Sequence, residues 1–179
     1  MASSLPTIQE FNQLPPASFH HTLKLLFEDA PELFDRLYKQ IPFSSYTQVL
    51  NAAQDILLSP DLPTQEKIRI LNAHPRLGSS PASLSSHSSR EQGDVDATVD
   101  AQLASLNAQY EALYGFRFVS FVNGRSRAEM AQVLSSFLDS HSSPTAQDKE
   151  AEATRALTDM VAIARSRLNG LSVPPSPSL

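Results

Sequence analysis

The stretch VDAQLASLNAQYEALYGFRFVSFV, residues 99–122, decides the fold class. Val99, Leu103, Leu106, Tyr110 and Leu113 recur at helical spacing over about four turns, and Gly115 is the residue type that commonly closes a helix. From Phe116 to Val122 aromatic and β-branched side chains crowd together, the composition of an extended segment. No second such segment occurs in the chain, and one strand cannot complete a sheet. Residues 116–122 are therefore expected to be an extended connector between helices.

Outward from it the apolar spacing stays helical. Phe19, Leu23, Leu26 and Phe27 share one face, and Leu33, Phe34, Leu37, Tyr38 and Ile41 share another. Asp29-Ala30-Pro31 breaks the chain between them, with Pro31 suited to a first helical turn. Ser45 and Gln48 are spaced as a capping box for a third helix through Val49, Leu50, Ala53 and Leu57. Thr64, after Pro60 and Pro63, is expected to cap a short helix carrying Ile68 and Leu71 to His74-Pro75, because a residue before proline leaves the helical region. Ser126 and Glu129 form a second capping-box pattern before Met130, Val133, Leu134, Phe137 and Leu138. A last helix over 146–170 carries Ala156, Leu157, Met160, Val161, Ala164, Leu168 and Leu171 as its buried stripe.

The expectation is an all-α, single compact domain of about seven helices with one extended connector. It spans residues 1–173, followed by a proline- and serine-rich disordered tail, 174–179. Residues 79–89 contain seven serines in eleven positions and read as a loop. Neither internal repeats nor a βαβ alternation is visible.

Composition narrows the function classes. With 41% apolar and 18% charged residues over 179 positions, the chain is expected to bury a core. A net charge of −5 argues against a nucleic-acid partner. No basic amphipathic helix or long apolar run points to a membrane. The absence of cysteine excludes disulfides, cysteine zinc sites and thiol nucleophiles. Residues 1–13 lack the basic and apolar regions of a secretory signal, and Pro177-Ser178-Leu179 lacks the basic middle residue of a peroxisomal address. An intracellular protein is expected, cytoplasmic or peroxisomal, with no clear C-terminal peroxisomal signal.

Three clusters can carry chemistry. His74 sits before Pro75 and Arg76-Leu77-Gly78 at the expected end of a helix. It reads either as a cap for helix carbonyls or as an imidazole at a pocket rim, its pKa raised by the negative helix terminus. Ser88-Ser89-Arg90-Glu91-Gln92 offers a hydroxyl, a carboxylate and an amide within one turn; the Ser88–Glu91 spacing favours a capping box, and the alternative is a binding segment. Asn123-Gly124-Arg125-Ser126-Arg127 precedes a helix whose start can hold an anion. His20, His21 and His141 have no such company, while His87 lies in the serine-rich loop close to Glu91. Arg165 and Arg167 are expected to complement the last helix's dipole or to lie on its solvent face.

Taken in order, His74-Pro75-Arg76-Leu77-Gly78, Ser88…Glu91-Gln92, Leu106-Asn107…Tyr110…Tyr114-Gly115-Phe116…Phe118-Val119 and Gly124-Arg125 resemble the 2-oxo-4-hydroxy-4-carboxy-5-ureidoimidazoline (OHCU) decarboxylase family. Leu26-Phe27-Glu28-Asp29-Ala30-Pro31 and Ile163-Ala164-Arg165-Ser166-Arg167-Leu168 resemble its two ends, so the likeness covers roughly Phe11 to Leu171. The resemblance implies an all-helical, cofactor-free and metal-free carboxy-lyase that forms (S)-allantoin in urate degradation, in a family that is often dimeric. It implies a small-molecule ureidoimidazoline as substrate, His74 as catalytic acid/base and Glu91 as its essential partner. Substrate contacts are implied at Pro75, Ser88, Ser89, Arg90 and Gln92, and at Asn123, Gly124, Arg125, Ser126 and Arg127. Asn123 stands where many members place an arginine, leaving Arg125 as the candidate anion contact. The rival expectation is a non-catalytic helical binding module on the same scaffold.

Overall fold

Thr7 opens the first helix. Its hydroxyl accepts from the Glu10 amide while the Glu10 carboxylate accepts from the Thr7 amide, a complete capping box for α1, Ile8–Asn12. Five residues are too few to show a helical period in sequence, and α1 is an addition to the expected set. It is held by its contacts: the Phe11 ring stacks on Phe19 at 4.5 Å and meets Tyr46 at 5.2 Å. Asn12 exchanges two hydrogen bonds with the Phe43 backbone, at 2.8 and 2.9 Å.

The computed structural model describes residues 4–79 and 96–171. The remaining helices there are α2 (Pro16–Phe27), α3 (Pro31–Tyr38), α4 (Tyr46–Leu57), α5 (Thr64–Ala73), α6 (Ala97–Tyr114), α7 (Arg127–Ser140) and α8 (Ala146–Gly170). Among the described residues the fold is thus all helical, with eight helices against about seven expected. Pro31 sits in the first turn of α3, the Ser126–Glu129 box caps α7, and Gly115 closes α6 at φ 83°. Two starts differ from expectation. Ser45 caps α4, but the Gln48 side chain reaches back to Ser44 instead of closing the box on Ser45. Pro63 is the N-cap of α5, so Thr64 is already helical and its hydroxyl caps nothing. The serine-rich run from residue 80 onward and the tail 174–179 lie outside the described residues.

Helix α8 is the centre of the packing, in contact with α2, α4 and α5, while α6 and α7 pair with each other. Its alanines at 153, 156 and 164 are buried and let neighbouring helices approach closely, with Leu157 and Met160 filling the space between them. Leu168 and Leu171, at the end of the expected stripe, are only partly buried.

Residues 116–122 run extended between α6 and α7, as expected. Their backbone is tied to helix side chains: Arg117 N donates to Asn72 Oδ1 (2.9 Å), Val119 O accepts from Arg155 Nη2 (2.9 Å), and Phe121 N donates to Asp159 Oδ2 (3.1 Å). Arg155 is itself fixed by Glu152 and Asp159, and Glu152 accepts from the Tyr110 hydroxyl at 2.7 Å. This buried network does for the connector what a neighbouring strand would do in a sheet. The connector ends in a tight turn with Asn123 at φ 49° and Gly124 at φ 79°, closed by Arg125 N donating to Val122 O.

Candidate active site

The His74 segment is over-determined. Its φ of −68° and ψ of 141° leave the helix as the following proline requires. Its amide donates to Leu71 O, and its carbonyl accepts from Arg117 Nη1 at 2.8 Å. Further along, buried Asn107 donates to both Leu77 O and Leu103 O at 2.8 Å. Gly78 has φ 76°, and a Cβ there would lie 2.9 Å from the Leu103 side chain. Arg76 makes a bidentate pair with Glu111. The loop is thus held on both sides, and the imidazole is presented from a fixed backbone.

That imidazole is buried, 4% exposed, and its Nε2 has no hydrogen-bond partner among the described residues. It faces a cavity of about 190 Å³. His74, Pro75 and Leu77 form one wall, the connector and turn from Phe118 to Gly124 a second, and Ile163, Ser166 and Arg167 of α8 a third.

Burial pushes the His74 pKa down to about 4; the Arg167 charge adds to the lowering and the Glu28 charge opposes it. The expected upward shift from the helix terminus is therefore corrected. Loss of hydration, together with a neighbouring cation, outweighs the helix dipole and favours a neutral imidazole at neutral pH.

Arg167 is the second correction. Instead of lying on a solvent face it is 5% exposed and lines the cavity. Its Nη2 donates to Glu28 Oε1 (2.9 Å) and its Nη1 to Leu26 O (3.3 Å). The sequence carried a signal: residue 167 follows Met160 and Ala164 at helical spacing, so an arginine stands on the buried face. Glu28 carried none. It follows α2 with φ 58° and ψ −158°, a conformation nearly confined to glycine that costs on the order of 1–3 kcal/mol. Arg165 is half-buried and donates to Asn51 and Gln54 of α4.

The other candidates separate into three groups. Pro75, Asn123 and Gly124 line the cavity with His74. Arg125, Ser126 and Arg127 do not: Arg125 is exposed and donates to the Phe121 and Val122 carbonyls, Ser126 caps α7, and buried Arg127 pairs with Asp100. Ser88, Ser89, Arg90, Glu91 and Gln92 lie outside the described residues, as does His87. Among the remaining histidines, His20 lies 3.0 Å from Asp35, and His141 stacks on Phe137 at 4.4 Å. Among the described residues no group of three His, Asp or Glu side chains is placed to hold a metal ion.

A neutral imidazole and a fixed guanidinium on one small cavity suit proton transfer on a small anion. The fold is that of an all-helical protein with a buried histidine and arginine on one cavity. The chain belongs to the OHCU decarboxylase family, whose model matches residues 12–169. It is 28% identical to the 2-oxo-4-hydroxy-4-carboxy-5-ureidoimidazoline decarboxylase of Halalkalicoccus jeotgali, over 94% of this chain and 93% of that one. It is 29% identical to the enzyme of the same name from Xenopus laevis, over 81% and 86%. It is also 29% identical to the uric acid degradation bifunctional protein PucL of Bacillus subtilis, matching 90% of this chain but spanning only 32% of that longer one. A crystal structure of OHCU decarboxylase in the presence of (S)-allantoin superposes with a TM-score of 0.64 at 21% identity, covering 83% of this chain and 94% of the other, a likeness of fold.

Proposed function

We infer that the chain performs the reaction for which its family is named, converting OHCU to (S)-allantoin and carbon dioxide in urate degradation. The observation that carries this reading is the buried Nε2 of His74, without a hydrogen-bond partner among the described residues, facing a cavity beside the fixed Arg167 guanidinium. The substrate carries a carboxylate and a hydroxyl on one ring carbon. Arg167 is suited to hold the carboxylate, since its planar donors match that geometry. Cleavage of the carbon–carboxylate bond releases carbon dioxide and sends the electron pair into the neighbouring ring C=N, whose nitrogen takes a proton from solvent. The ring itself is the electron sink, so no cofactor step is invoked. The hydroxyl proton passes to His74 Nε2 and returns to the carbon bearing the ureido group, leaving a carbonyl behind. One base on one side of a held ring gives one enantiomer.

A neutral imidazole is the form that can accept that hydroxyl proton. Glu91 is assigned as the imidazole's partner, with Ser88, Ser89, Arg90 and Gln92 as substrate contacts, on the strength of the Ser-x-x-Glu-Gln pattern within a family member. Pro75, Asn123 and Gly124 shape the pocket. Arg125, whose guanidinium binds connector carbonyls, supports that wall rather than the anion.

His74→Ala and Glu91→Ala are each expected to abolish formation of optically active allantoin from freshly generated OHCU while far-UV circular dichroism stays helical. A variant that keeps most of its activity by polarimetry removes its residue from the mechanism.

A further inference from the structure

Glu28 occupies an unusual position for a residue with a side chain. At the end of α2 its φ is 58° and its ψ −158°, backbone space that glycine enters freely and other residues rarely. A helix end of this kind is ordinarily closed by glycine, yet the chain keeps a glutamate there. Its carboxylate, 14% exposed, accepts from Arg167 Nη2 at 2.9 Å. The same guanidinium donates to Leu26 O, one residue before the end of α2, so two points near that end hold Arg167 against the cavity. Among the described residues, the charged groups acting on the imidazole are Arg167 from α8 and Glu28 from the end of α2, of opposite sign, while Arg117 of the connector binds the His74 carbonyl.

We propose that Glu28 is a positioning residue for the decarboxylation: held in a glycine-like backbone, its carboxylate aims Arg167 into the cavity and balances that guanidinium's charge beside His74. The proposal rests on the functional reading above. It gives the strained backbone a purpose, because replacing Glu28 by glycine relieves the strain and removes the aim. An aimed guanidinium meets the substrate carboxylate without a search through rotamers. The Glu28 charge opposes the lowering that Arg167 exerts on the neighbouring imidazole, which must accept a proton.

The test compares Glu28→Gly with Glu28→Gln. Glu28→Gly relieves the backbone strain but removes a carboxylate from the buried Arg167 guanidinium, so it is expected to melt no higher than the parent and to lose at least about tenfold in kcat/KM. Glu28→Gln keeps the shape and one acceptor but loses the charge. Its acid limb of kcat/KM, and the NMR titration of the His74 ring, are expected to move to lower pH than in the parent. Retention of kcat/KM within about twofold in Glu28→Gly overturns the positioning role, as does an unmoved His74 titration in Glu28→Gln. If the parent itself turns over no OHCU, the functional reading fails, and the His74 titration still decides whether Glu28 and Arg167 act on the imidazole. If Glu28→Gly does not fold, the two readouts of Glu28→Gln decide alone.

Discussion

His74 shows how one residue can be chemically poised and a liability to the fold. Its folded pKa, about 4, lies below the ordinary 6.5, so the unfolded chain binds the proton more tightly. Stability from this group is therefore complete above about pH 6.5 and is lost as pH falls toward 4. Between pH 7 and 4.5 the loss attributable to His74 amounts to about 2–3 kcal/mol. Urea unfolding at the two pH values should show a difference smaller by that amount in His74→Gln than in the parent; equal differences would mean that the imidazole is not buried neutral. At this scale sequence reading succeeded for His74-Pro75, where a covalent restriction acts on the neighbouring residue. Arg167 escaped because its exposure was judged from its charge rather than from its helical phase. Glu28 escaped because its backbone angles and its partner 139 residues away are set by tertiary contacts.

Among the elements, capping was legible wherever the capping residues and the backbone they serve lie within one turn. Ser126–Glu129 and the helix stop at Gly115 are of that kind. The displaced Gln48 contact and the Pro63 cap show how close alternatives one residue apart go undistinguished. The connector posed a different problem. Its extended form followed from composition, but its partners are helix side chains far along the chain, which no local pattern announces. Asp159→Ala removes the acceptor of the Phe121 amide and leaves that part-buried donor unpaired, at a cost of about 1–3 kcal/mol. Hydrogen exchange at Phe121 should accelerate, and kcat/KM should fall because the same segment walls the cavity. Unchanged exchange at Phe121 would show that the network does not hold the connector. The cavity therefore depends on α8 twice, through Arg167 directly and through Asp159 and Arg155 at second hand.

For the whole molecule, α8 is the common wall of α2, α4 and α5, and truncation at its centre should be felt everywhere. Leu157 is fully buried and does not line the cavity. Leu157→Ala is expected to cost about 2–5 kcal/mol in a single cooperative transition, with kcat near that of the parent at temperatures where the variant is folded. Two resolved transitions in denaturant would mean that α6 and α7 form a separately folding unit. The same long-range packing separates what was readable from what was not. The sequence by itself determined the helical class, most helix boundaries and the extended connector. These depend on periodicity, proline sterics and caps, all properties of neighbours in the chain. Only the tertiary structure decided that His74 is neutral, that Arg167 and not Arg125 lines the cavity, and that Glu28 holds it. Those outcomes depend on desolvation and on charges brought together from the two ends of the chain, and neither exists until the helices pack.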